Sequence, residues 1–120
     1  MNTFYYKNSK KICKGEIYWY NDSWIENGKL IRKKRPIFII SNNNFDITYI
    51  TITTKMKREY MLAGVLIDSE FGLREKSLVR CNKIKTAPKN EIGGYIGTVS
   101  KEVVEKIDRA IINLFGLNVA

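Results

Sequence analysis

Cationic side chains crowd two short stretches of the chain. Lys29, Arg32, Lys33, Lys34 and Arg35 form the first, and Arg74, Lys76, Arg80, Lys83, Lys85 and Lys89 form the second. Residues 1–36 sum to +6 and residues 71–90 to +5, while residues 37–70 and 91–120 each sum to −1, so the net +9 is concentrated rather than spread. Brought together by folding, the two blocks make a cationic patch suited to phosphates and so to a nucleic acid. Kept apart, they are a solubilising surface. The chain has no histidine. Ser-His, Cys-His and His-His chemistry is therefore excluded, and any acid or base must be a carboxylate, Lys, Arg, Tyr or a polarised hydroxyl. Cys13 and Cys81 are too few for a disulfide framework and read as reduced thiols of a cytoplasmic protein. Without histidine they cannot complete a four-ligand zinc site, and neither a metal nor another cofactor is expected.

The elements that must position these cations are short. At 120 residues, 44% hydrophobic and 28% charged, the chain fits one globular domain over 1–120. No apolar run is long enough to span a bilayer, and no apolar stretch near the start reads as a secretory signal. Residues 1–14 read as a basic N-terminal arm. Glu16 to Tyr20 is β-branched and aromatic, a strand opened by Gly15. Asn21 to Lys34 reads as a long loop, with Asn27-Gly28 as a turn signal. Ile37 to Ile40, Ile47 to Thr54, Ala63 to Ile67, Ser77 to Cys81 and, more weakly, Ile92 to Val99 read as further strands. Residues 100–116 read as a helix: Ser100 caps it, Val104, Ile107, Ile111 and Leu114 recur at helical spacing, and Gly116 stops it. Strands joined by turns rather than helices predict a mainly β fold with a C-terminal helix, a small antiparallel barrel or strongly curved sheet.

Five segments, in order over residues 15–117, resemble the MazF/PemK-type toxins. Gly15-Glu16-Ile17-Tyr18-Trp19 resembles their Gly-acid-Ile-aromatic opening. Arg35-Pro36, followed by Ile37-Phe38-Ile39-Ile40-Ser41-Asn42, resembles their Arg-Pro strand. Ile52-Thr53-Thr54 resembles the end of their third strand, Arg80-Cys81-Asn82-Lys83-Ile84-Lys85-Thr86 their Cys-Asp-Gln-Ile-Arg-Thr stretch, and Ile96-Gly97-Thr98-Val99-Ser100 with Leu114-Phe115-Gly116-Leu117 their C-terminus. The resemblance implies an SH3-like barrel of the plasmid-maintenance toxin type that acts as a homodimer. It also implies a metal-independent endoribonuclease selective for single-stranded RNA sequences, restrained by an acidic antitoxin. A relative that poisons DNA gyrase shares the fold, and the positive charge favours RNA over that target.

RNA carries its own nucleophile, the 2′-OH, so cleavage needs a base for that proton, an acid for the 5′-oxygen and donors for the charge on phosphorus. The family match points to Arg35 as the guanidinium on the phosphate, to Thr53 as a hydroxyl donor and to Arg80 as a further catalytic cation. Some relatives place an acid where this chain has Asn82, and an amide cannot act as a base. Either Asn82 only positions RNA or the base lies elsewhere; relatives carry a Glu in the loop before their Arg-Pro, which makes Glu26 a candidate base. Trp24 is the candidate for stacking a base; Thr54 and Lys33, Lys34, Lys55, Lys57, Lys83 and Lys85 are candidates for the flanking RNA. A catalytically weak or inactive homologue that binds RNA or protein remains the alternative.

Overall fold

The computed structural model describes residues 11–117. Its elements are β1 (Glu16–Glu26), β2 (Lys29–Asn42), β3 (Asp46–Thr53), α1 (Arg58–Leu62), β4 (Gly64–Ile67), β5 (Ser77–Pro88), β6 (Tyr95–Thr98) and α2 (Lys101–Phe115). The strands form one antiparallel sheet in the order β4-β5-β3-β2-β1-β6. Register shifts interrupt the β1–β6, β2–β3 and β3–β5 pairings. Such bulges sharpen the local twist, and the sheet curls into a half-barrel with α2 on one face. The expected β fold with a C-terminal helix is what the chain forms.

The expected loop from Asn21 to Lys34 is a β-hairpin. β1 and β2 pair without interruption from Ile17↔Phe38 to Glu26↔Lys29. Asn27 and Gly28 turn the chain with φ of 50° and 76°, the left-handed pair that a two-residue hairpin turn requires. The segment looks like a loop because this ribbon runs beyond the core: its ladder bonds are made, but no apolar face marks its period. Two further boundaries move. β5 runs on to Pro88, beyond the expected Cys81, and the segment 92–99 is strand only over Tyr95–Thr98. The short α1 has no counterpart in the sequence expectations.

Ile37, Phe38 and Ile39 are all fully buried, because the sheet is covered on both faces. On the helix face, Phe38, Ile17, Ile50, Ile52 and Val79 pack with Ile107. On the concave face, Ile37, Ile39, Tyr18 and Tyr49 pack with Ile47 and Ile12. Ile12 belongs to the stretch expected as an N-terminal arm, and its carbonyl accepts a 2.9 Å bond from Asn42 Nδ2; the rest of that arm up to residue 10 lies outside the described residues. α2 begins as expected, with Ser100 Oγ accepting from the Val103 N–H, and ends at Gly116 with φ 62°. Leu114, which shares the helical spacing of the buried Ile107, is 42% exposed. Cys13 is exposed and Cys81 buried, neither in a disulfide; burial pushes the Cys81 thiol up to about 11.

One close approach locks the edge of the sheet. A Cβ on Gly97 would lie 1.9 Å from the Phe71 carbonyl oxygen, so β6 and the turn at Phe71 touch backbone to backbone. Gly97→Ala is expected to cost about 2–3 kcal/mol and to lower the thermal midpoint by roughly 10 °C. An unchanged midpoint in a melting experiment would contradict this contact.

Candidate functional site

Alternation along the hairpin carries the concave core outward into a polar groove. Tyr18, Tyr20, Asp22 and Trp24 follow one another on one face of β1, opposite Ile37, Arg35, Lys33 and Ile31 of β2. Past Tyr20 this face leaves the apolar core and becomes the wall of an open groove of about 550 Å³. The end of β3, Tyr60 of α1 and the middle of β5 complete it.

The two basic blocks meet here. β3 lies between β2 and β5, so Lys33, Lys34 and Arg35 face Arg80, Lys83 and Lys85 across the groove. The β5 side depends on a bulge. Ile50 pairs with Ile84 but Ile52 with Val79, so Arg80 to Lys83, four residues, stand against Thr51 alone. The bulge shifts the alternation by one. As a result Arg80, Lys83 and Lys85 line the groove and Cys81 enters the core.

Each arginine lies on an aromatic ring. The Arg35 guanidinium is 4.4 Å from the centroid of Trp24, and that of Arg80 is 3.5 Å from the centroid of Tyr60. Stacking holds a planar cation without consuming its N–H groups. The Nε atoms of both arginines are buried and have no hydrogen-bond partner among the described residues. A buried unsatisfied donor is costly; for Arg35 the Asp22 carboxylate, 3.8 Å from Nε, offsets part of that cost.

Asp22 sits at the floor, 3% exposed. Its Oδ1 is 3.3 Å from Lys85 Nζ, and its Oδ2 is 3.8 Å from Arg35 Nε. The Tyr49 hydroxyl donates to Oδ1 at 3.4 Å. Burial, and then the Asp22 charge, push the Tyr49 hydroxyl well above its ordinary range. Tyr20, whose hydroxyl bonds Glu91, is pushed up by burial and then by the charges of Glu91 and Asp22. Both phenols stay protonated near neutral pH, which removes them as bases.

Most of the expected site residues converge. Arg35, Arg80, Thr53, Thr54, Lys55, Glu26 and Trp24 all line the groove with the four lysines named above. Thr53 Oγ1 accepts from the Lys55 N–H at 3.1 Å, which leaves its own proton to donate. Glu26 stands exposed at the hairpin tip, opposite Lys29. Asn82 and Lys57 do not line the groove. Asn82 is exposed on β5 in the bulge, and Lys57 lies just before α1 with Nζ 5.4 Å from the Tyr60 ring centroid. Trp24, expected to stack a base, carries the Arg35 guanidinium on its ring. Among the groove residues outside that set, Asp22 and Tyr60 contact the two arginines. Asp22 would have followed from the alternation Tyr18-Tyr20-Asp22-Trp24 had β1 been extended; Tyr60 gave no signal. Among the described residues, no three Cys, Asp or Glu side chains gather as a metal site.

Comparison with known proteins agrees with this architecture. A family model for PemK-like, MazF-like toxins of type II toxin–antitoxin systems matches residues 13–115. The fold is similar to that of an endoribonuclease from a mycobacterial species solved in complex with its cognate antitoxin, with TM-score 0.70 and 23% identity over 92% of this chain and 100% of that one. It is similar to a MazF toxin of Mycobacterium tuberculosis, with TM-score 0.66 and 23% identity over 85% and 99%. A MazF of Deinococcus radiodurans aligns with TM-score 0.69 and 13% identity over 87% and 96%. At these identities the structural likeness speaks for the fold. No curated protein matches the chain in sequence.

Proposed function

The chain belongs to the PemK-like, MazF-like toxin family of type II toxin–antitoxin systems, and we propose that it is a metal-independent, sequence-selective endoribonuclease whose substrate lies in the basic groove. One observation carries this reading: Arg35 and Arg80, each stacked on an aromatic ring and each with a buried Nε that makes no hydrogen bond among the described residues, share one groove with Thr53. Donors fixed before the substrate arrives cost no reorganisation when charge develops on the phosphate.

The 2′-oxygen of the bound ribose attacks the adjacent phosphorus. The new 2′-O–P bond forms as the P–O5′ bond breaks, leaving a 2′,3′-cyclic phosphate and a 5′-OH. Arg35 and Arg80 donate to the phosphate oxygens, and the Thr53 hydroxyl adds a further donor. Two carboxylates line the groove, Asp22 and Glu26. Asp22 is buried and engaged by Lys85 and Arg35, so the exposed Glu26 is assigned the 2′-OH proton. A proton from solvent or a lysine of the groove serves the 5′-oxygen. The lysines on both walls neutralise flanking phosphates.

The same groove suits an acidic antitoxin segment that competes with RNA; the mycobacterial neighbour was solved in complex with its cognate antitoxin. In this reading the toxin works as a homodimer in the cytoplasm. The test is to incubate the purified chain with a long, partly unstructured RNA in EDTA and map the new 5′ ends. Discrete 5′-OH ends at one short motif are expected. RNA that is shifted in a gel yet stays intact would instead make the chain a binding homologue, a role consistent with the position of Asn82 outside the groove.

A further inference from the structure

Asp22 is the one buried carboxylate in a groove otherwise built for anions. It stands on β1, and Lys85 on β5, with β2 and β3 between them in the sheet. Across a flat sheet those strands would be about 14 Å apart. The 3.3 Å contact therefore closes across the concave face. Asp22 also takes the Nε side of Arg35, while Trp24 takes the face of the guanidinium. The terminal nitrogens of Arg35 are left for a ligand. The Tyr49 hydroxyl, buried beneath, fixes the carboxylate from the core side.

A carboxylate buried on the groove floor has a price. It repels the phosphate that the groove must hold, and its desolvation is offset only by the cations beside it. Apolar side chains would serve stability as well. What the carboxylate adds is placement: without it, the like charges of Arg35 and Lys85 have no common counter-ion and separate.

We infer that Asp22 is a positioning residue that holds Arg35 in place for the scissile phosphate and Lys85 for its neighbour, at the expense of ground-state affinity for RNA. The inference rests on the nuclease assignment above. It requires kcat to fall without any loss of binding, because a group that weakens ground-state binding while aligning the transition state raises both kcat and KM.

The test uses Asp22→Asn, which keeps the shape and an acceptor for Tyr49, in the full chain. Three quantities are read: kcat, KM, and Kd for an uncleavable 2′-deoxy oligonucleotide of the cleaved sequence. Misplacing a reacting group by about 1 Å costs about 10²-fold, and a fall of that size in kcat is expected, with KM and Kd unchanged or lower. Should Asp22→Asn fail to fold, the double variant Asp22→Asn/Lys85→Gln removes the anion with one of its cations and leaves no like-charge pair; its kcat is expected to fall as far. A wild type that cuts beside a folded variant that cuts equally fast overturns the inference alone. Loss of kcat together with weaker oligonucleotide binding also overturns it, since that marks a structural role. A wild type that leaves RNA intact overturns the nuclease assignment and the inference with it.

Discussion

Replacing Arg35 by alanine is expected to lower the single-turnover cleavage rate about 10³-fold in a chain that still folds. Removing one donor from a site that stabilises developing oxyanion charge costs about 10²–10³-fold, and Arg35 is placed for the upper end. It stacks on Trp24 and its Nε, buried beside Asp22, has no hydrogen-bond partner. Its removal also leaves Asp22 with Lys85 as its remaining cation. Lysine at this position recovers little, because an ammonium has neither the planar face for Trp24 nor the fork for two phosphate oxygens. A thermal melt reports folding independently of cleavage. A folded Arg35→Ala chain cutting at the wild-type rate would falsify the role assigned to this residue.

Glu26→Gln is expected to lower kcat by about 10²–10⁴-fold, the range that a positioned general base contributes. Affinity for a 2′-deoxy oligonucleotide should hold, because glutamine keeps the size of the side chain and loses only the charge and the basicity. Glu26 is exposed at the hairpin tip, and its strand partner is Lys29 on the far side of the turn. Its loss therefore leaves the core untouched. The measurement is kcat for Glu26→Gln beside the Kd for the uncleavable oligonucleotide. An unchanged kcat would move the proton to another acceptor, and a parallel loss of binding would make Glu26 a specificity contact rather than a base.

The chemistry of the groove was more legible in the sequence than its geometry. Two blocks of cations pointed to a phosphate patch, but only the strand order, with β3 set between β2 and β5, brings them face to face. Apolar alternation marked the strands where they cross the core. It failed from Asn21 to Lys34, because that ribbon has left the core and is held by its ladder bonds and its Asn27–Gly28 turn. The same failure hid Asp22, which stands in the part of β1 taken for a loop. Asn82 shows a different limit. It lies two residues from Arg80, and a regular strand would put both on one face. The bulge from Arg80 to Lys83 breaks that parity, and nothing in the residue types announces a bulge. The pairing of Arg80 with Tyr60 depends on the turn into α1, which carries no periodic signal of its own.

In the proposed reaction the RNA's own 2′-oxygen is the nucleophile, aligned by the arginines of the groove. Mass spectrometry of the fragments from a short RNA containing the cleaved motif, incubated with the chain in EDTA, tests it most directly. A 2′,3′-cyclic phosphate on one fragment and a 5′-OH on the other are expected, with no cleavage when the scissile ribose is 2′-deoxy. A 5′-phosphate product, or cutting at the 2′-deoxy position, would contradict it.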